Sequence, residues 1–192
     1  MQNAIVLHGL PSKEEYYAEQ CSSSSNNHWL PWLQKQLLMK DILAQTPELP
    51  KAYAPDYLNW KSTLEMFKPN ADTILVGHSC GAGFLLRWLS ETHTKVGKVV
   101  LVAPWLDPDH ELNSDFFKFT FNKDIVANTK GITVFYSDND ELSISKSLEI
   151  IKGNTVDIKY MKFHNYGHFC KRDMQTDAFP ELLEEVMISI KA

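Results

Sequence analysis

The chain has 192 residues, enough for one well-buried core and short for two, so a single domain over 1–192 is expected. Hydrophobic residues make up 44% and aromatics 11%, which excludes a disordered chain. The formal charge of -5 comes with Lys and Arg scattered rather than gathered into a basic stripe, which excludes nucleic acid as the main partner.

The first segment, "MQNAIVLHG", passes directly into a strand pattern with no basic leader, and no apolar run in the chain approaches the roughly 18 to 20 residues of a membrane span. "AIVLHG" (4–9) is the first expected strand. "CSSSSNN" (21–27) is the one low-complexity stretch and is expected to be a mobile loop. "WLPWLQKQLLMKDIL" (29–43) brings Trp29, Trp32, Leu33, Leu37 and Leu38 near helical spacing. The proline-bearing segment 46–56 is expected to hold a short strand, followed by the helix "DYLNWKSTLEMF". "TILVGH" (73–78) is a strand and "FLLRWLSETH" (84–93) an amphipathic helix.

Strands follow at "VGKVVLVAP" (96–104), "GITVFYS" (131–137) and "VDIKYMKF" (156–163). Between the last two lies the helix "SKSLEIIKGN", with a stop at Gly153, and the chain closes on "FPELLEEVMISI" (179–190), where Pro180 opens a helix. Most of the strands are continuously apolar, as in a parallel sheet buried on both faces. The alternation predicts an α/β fold with three layers: a mostly parallel central sheet, helices on both faces and no cap domain.

Between 73–78 and its helix stands Gly77-His78-Ser79-Cys80-Gly81, a G-x-S-x-G pattern with strand before and helix after. A serine on so sharp a turn adopts a strained backbone, and glycines two residues to either side avoid collision with it. Its hydroxyl is held out at the positive end of the following helix. Neither dinucleotide nor phosphate-loop glycine patterns fit, since Leu86 stands where a third glycine would and no Gly-Lys-Ser/Thr ending follows. Ser79 is the candidate nucleophile, and no cofactor is implied.

A serine needs a base, and the base an orienting acid. In α/β-hydrolases these come in the order Ser, Asp or Glu, His, each after a later strand. After "GITVFYS" come Asp138 and Asp140, and after "VDIKYMKF" come His164 and His168. His168, beyond Gly167 in a loop, is the preferred base over His164 at the strand end. Asp140 is the preferred acid because Asp138 lies close to the strand end and suits a turn role. A metal site on His164 and His168 would need both on one helical face, which Gly167 disfavours. His78 is expected to pack at the turn, and His28, His93 and His110 to be loop or surface residues. Oxyanion donors are expected from the backbone N–H of Cys80 and, in "HGLP", of Leu10. The Cys80 thiol itself reads as a small buried group.

Together, "VLHGLP", "NHWLPWLQKQL", "VGHSCG", "YSDNDEL" and "YGHF" resemble the small serine hydrolases related to retinoblastoma-binding protein 9, over nearly the whole chain. The resemblance implies a bare α/β-hydrolase core, a Ser-Asp-His triad on Ser79, the "DND" segment and His168, and activity on small ester substrates. Asp140 is followed by "ELSI" rather than the family's apolar pair and proline. The Leu-x-Cys-x-Glu partner motif of the vertebrate namesake is absent, so its pocket-protein partner is not transferred. The expected function is a carboxylesterase working through an acyl-enzyme on a small-molecule ester; the alternative is a non-catalytic protein-binding module on a hydrolase scaffold. Free thiols at Cys21, Cys80 and Cys170, an odd number without metal-ligand spacing, point to a cytoplasmic location. Phe116, Phe117, Phe119 and Phe121 are candidates either for lining an acyl pocket or for packing onto the sheet, and the short segment around them predicts short acyl chains.

Overall fold

The computed structural model describes residues 2–112 and 114–188. Its centre is a six-stranded sheet in the order β2-β1-β3-β4-β5-β6, parallel throughout. The strands are β1 (Asn3–Leu7), β2 (Leu43–Gln45), β3 (Thr73–His78), β4 (Val99–Val102), β5 (Ile132–Ser137) and β6 (Lys159–Phe163). Every residue of β3 and β4 is buried, which is why those runs are continuously apolar. The edge strand β6 instead carries Lys159 and Lys162 to solvent.

The helices are α1 (Lys13–Tyr17), α2 (Leu30–Leu38), α3 (Tyr57–Glu65), α4 (Cys80–Thr92), α5 (Leu142–Asn154), α6 (Lys171–Met174) and α7 (Pro180–Ile188). Helices α2 and α7 touch each other on one face of the sheet. On the other, Trp60 of α3 packs edge-on against Phe84 of α4, with ring centroids 5.6 Å apart. This is the expected three-layer arrangement. The expected helix 179–190 is present as α7, whose last two expected residues lie outside the described residues.

Two expectations are corrected between α2 and α3. The helix from Trp29 stops at Leu38, because Asp41 turns into a left-handed conformation (φ 60°) and the Ile42 N–H folds back onto the Leu37 carbonyl. The residues freed by that stop, Leu43–Gln45, form the extra strand; 46–56 holds none, and its prolines could not have donated to a ladder. The serine-rich stretch is also built: Ser24–Asn26 make a 3₁₀ turn, and the Ser25 N–H donates to Glu48 Oε2 at 2.8 Å.

Helix α7 is tied to the amino ends of three strands by one buried carboxylate. Glu185 accepts from Lys98 Nζ (2.6 Å), Thr133 Oγ1 (2.6 Å) and Lys159 Nζ (2.7 Å). Burial works against its ionised form, but these bonds outweigh it and hold the carboxyl below its usual range. Removing one partner of such a buried set costs about 3–5 kcal/mol. The opposite end of the sheet is thereby left to the loops. β1 leads away to β2 on one side while β3 continues on the other, so the carboxyl ends of β1 and β3 flank the reversal of strand order where α/β sheets bind ligands.

Candidate active site

Ser79 stands at that point, between β3 and α4, with φ 52° and ψ -118°. A non-glycine residue in this region is strained and persists only where its surroundings force it. The forcing comes from both sides: the Ser79 N–H donates to the Val102 carbonyl at 2.9 Å, and the Ser79 carbonyl accepts from Ala82, Gly83 and Trp105. The flanking glycines are required, but by different atoms than the sequence suggests. A Cβ on Gly77 would meet the Ala82 backbone at 2.7 Å, and one on Gly81 would meet the His8 carbonyl oxygen at 2.4 Å. Their task is to let α4 fold back onto β3 and the end of β1. Gly9 is the residue that faces the serine itself, since a Cβ there would lie 3.0 Å from that of Ser79.

The β5–β6 register sets Ser137 opposite Phe163, so the loops carrying the acid and base candidates leave the sheet side by side. His168 Nδ1 lies 2.9 Å from Asp140 Oδ1 and 3.2 Å from Oδ2. The Asp140 side chain is 1% exposed. Asp138 does something else: it accepts the Asn165 N–H at 3.1 Å and pairs with the exposed ring of His164. The Asn165 bond, then His164, hold the Asp138 carboxyl below its usual range. The two Asp–His pairs are therefore separate, and His164 and His168 share no site.

Several groups fix the His168 loop. Gly167 takes φ 51°, where a Cβ would strike Asp173, and Asp173 Oδ2 accepts the His168 N–H at 3.0 Å. Asn139, the middle residue of "DND", accepts the Gly167 N–H at 2.8 Å through its side-chain oxygen. His78 packs at the turn as expected, and its Nε2 bonds the His168 carbonyl at 2.8 Å, which makes it the donor. Burial, then the charge of His168 beside it, push the His78 pKa well down and keep that ring neutral.

Ser79 and His168 line one cavity of about 610 Å³, although no hydrogen bond joins them among the described residues. Such contacts are commonly long until substrate tightens them. Leu10 lines the same cavity, and neither its N–H nor that of Cys80 donates to a protein acceptor among the described residues. The Cys80 side chain is fully buried, and burial drives its thiol pKa well up, so it is no nucleophile.

Of the two roles open to the phenylalanine segment, packing is the one that Phe116 and Phe117 take. Phe116 is 2% exposed and packs on Trp60 at 5.0 Å, and Phe117 stands edge-on to Trp105. The cavity wall comes instead from the loop after β1, from Ser22, Ser23, Ser24, Asn27 and His28, and from Glu48. His28 is thus a cavity residue rather than a bystander on the surface, and His8 was overlooked altogether. His8 is buried; the Leu49 N–H donates to its Nε2 at 2.9 Å, so its Nδ1–H donates to the Gly9 carbonyl at 2.7 Å and shapes the turn that presents Leu10. A buried polar residue at a strand's carboxyl end was the signal available in "VLHGLP".

A parallel sheet with helices on both faces and a strained serine after its third strand define an α/β-hydrolase, here without a large cap domain. The chain belongs to the Serine hydrolase family, to which residues 21–186 match. It is 28% identical over 168 residues to "Putative hydrolase YdeN" of Bacillus subtilis (strain 168), covering 82% of this chain and 86% of that one. The crystal structure of the ydeN gene product from B. subtilis superposes with a TM-score of 0.81 at 22% identity, over 100% of both chains. Est1E from Butyrivibrio proteoclasticus, solved with ferulic acid bound, has the same fold, with a TM-score of 0.65 at 9% identity over 100% of this chain and 90% of that one. Among the described residues no helix is long and apolar enough to cross a membrane.

Proposed function

We propose that the protein is a carboxylesterase acting on small esters through Ser79, His168 and Asp140. The observation that carries this is the buried Asp140 carboxylate on His168 Nδ1, beside a cavity that His168 shares with a serine in strained elbow geometry. In the reaction Ser79 Oγ attacks the ester carbonyl while His168 Nε2 takes its proton, with Asp140 holding the proton on Nδ1. The oxyanion is received by the N–H groups of Leu10 and Cys80, each such donor being worth about 10²–10³ in rate. His168 then protonates the departing alcohol, and water hydrolyses the acyl-enzyme by the same route in reverse.

The esterase fold neighbours support this reading, and "NHWLPWLQKQL" and "YSDNDEL" support kinship with the branch related to retinoblastoma-binding protein 9. The exposed thiol of Cys21 fits a reducing, cytoplasmic setting. A fluorophosphonate probe is expected to label Ser79, and Ser79→Ala to lose both labelling and ester hydrolysis while unfolding at nearly the same temperature. Wild-type protein that stays unlabelled and inactive would leave the binding-module alternative standing, and an active Ser79→Ala would overturn Ser79 as the nucleophile.

A further inference from the structure

The "HW" pair that opens "HWLPWL" has no part in the triad, yet His28 lines the cavity with Ser79 and His168. Its backbone takes φ 56°, a left-handed turn conformation that histidine tolerates better than most residues. The Lys171 N–H donates to His28 Nδ1 at 3.3 Å. An Nδ1 that accepts carries no proton, so this neutral ring bears its hydrogen on Nε2. Burial and the neighbouring His168 favour the same neutral form. No described residue accepts from Nε2, which leaves one fixed donor unassigned.

The position of that donor is informative. Lys171 opens α6, shortly after His168, and the His28 ring stands edge-on to His78 at 5.8 Å, whose Nε2 holds the His168 carbonyl. His28 therefore stands beside the His168 loop on the wall of the shared cavity, and on the proposed reading His168 is the group that protonates the departing alcohol. The wall next to it in the chain includes Ser22, Ser24 and Asn27, which bring hydroxyl and amide side chains beside the apolar Leu10 and Pro11.

We propose that His28 is a substrate-contacting specificity residue, whose Nε2–H donates to an oxygen carried by the alcohol half of the ester. The preferred substrates are then short-chain esters of ether-bearing or polyhydroxylated alcohols. This rests on the assignment of Ser79 as an ester-cleaving nucleophile. A donor that loses its water on substrate binding and meets only methylene is left unpaired, which is how a polar site rejects an alkyl analogue.

The test uses two isosteric acetates, 2-methoxyethyl acetate and n-butyl acetate, followed by titration of the acid released, with each kcat/KM divided by that ester's hydroxide rate. Wild-type protein is expected to favour the ether ester about tenfold after this correction, the yield of one hydrogen bond. His28→Phe keeps a ring and should bring the corrected ether-to-butyl ratio of kcat/KM to about one, whatever the change in overall turnover; His28→Gln keeps an N–H and should retain most of the ratio. A corrected wild-type ratio of one or below overturns the proposal and needs no variant to fold. Equal losses on both esters in His28→Phe overturn it too, because His28 would then only prop the His168 loop. Failure to turn over either ester, with Ser79 unlabelled by fluorophosphonate, would instead bring down the hydrolase reading itself.

Discussion

Replacing Asp140 by Asn changes one atom in a site where its partner cannot adapt. The carboxylate is buried, accepts from His168 Nδ1 and also takes the Glu141 N–H at 2.7 Å. Oδ1 takes both of these bonds while Oδ2 lies 3.2 Å from Nδ1, so an Asn in the same place loses the negative charge and sets an NH₂ against the imidazole at one of the two positions. The ring then accepts at Nδ1 and carries its proton on Nε2, the nitrogen that must take the serine's proton. In the serine-protease template the same change lowers kcat by about 10⁴, which is about 5.4 kcal/mol of barrier. Asp138→Asn removes a bond to His164 and weakens one to Asn165, both outside the cavity, so kcat should stay within about tenfold of wild type. Steady-state hydrolysis of p-nitrophenyl acetate by both variants, with circular dichroism melts as the control for folding, decides the matter. Near-normal kcat in a folded Asp140→Asn would refute the assignment, and the reverse ranking would move the acid to Asp138.

Gly81→Ala places a methyl 2.4 Å from the His8 carbonyl oxygen, a backbone atom that cannot swing aside; it should destabilise the fold by about 1–3 kcal/mol in urea titrations, and an unchanged midpoint would contradict the elbow packing. Stability should also fall in mild acid. His8, His28 and His78 all have folded-state pKa values lowered first by burial, so they stay neutral in the fold while the unfolded chain takes up protons below about 6.5. Their contribution is whole above that pH and declines below it, by up to about 1.4 kcal/mol per pH unit for each histidine, so urea midpoints flat from pH 7.5 to 5.5 would be the contrary result. With the phenylalanine segment packed away and polar groups on the cavity wall, p-nitrophenyl butyrate should turn over faster than the laurate; faster laurate hydrolysis would show that a long tail is accommodated.

The fold was legible wherever an element's pattern had one meaning. β3 and β4 are sheet-centre strands buried on both faces, so their apolar runs have no other reading, and Pro180 marks the start of α7 because its ring suits a first helical turn. The edge was harder. β2 is three residues long, too short to express a period of two, and it directly follows a helix whose apolar spacing runs on through Ile42 and Leu43. What ends α2 is a left-handed turn at Asp41, and a single Asp in an amphipathic stretch is no more than a surface residue to a periodicity count.

The site divides along the same line. Ser79, Asp140 and His168 each follow a strand, and parallel strands deliver their carboxyl ends to one edge whatever the loops do, so chain order alone pointed to that edge, where His168 and Asp140 lie 2.9 Å apart. Choosing Asp140 over Asp138 needed one more step, the two residues by which a loop must leave β5 before it can reach across to β6. Residues that reach the cavity from outside the sheet had no such guide. His28 arrives beside a serine-rich stretch that reads as a mobile loop, and Glu48 from the proline-bearing segment after β2; they are brought in by bonds no pattern encodes, from Lys171 to His28 and from Ser25 to Glu48. The proposed triad thus follows from the sheet, whose strand ends bring its three candidates to one edge. On the proposed reading, the loop between α1 and α2 is where esters would be distinguished, so substitutions there should move substrate preference more than they move the reaction of Ser79 with a fluorophosphonate.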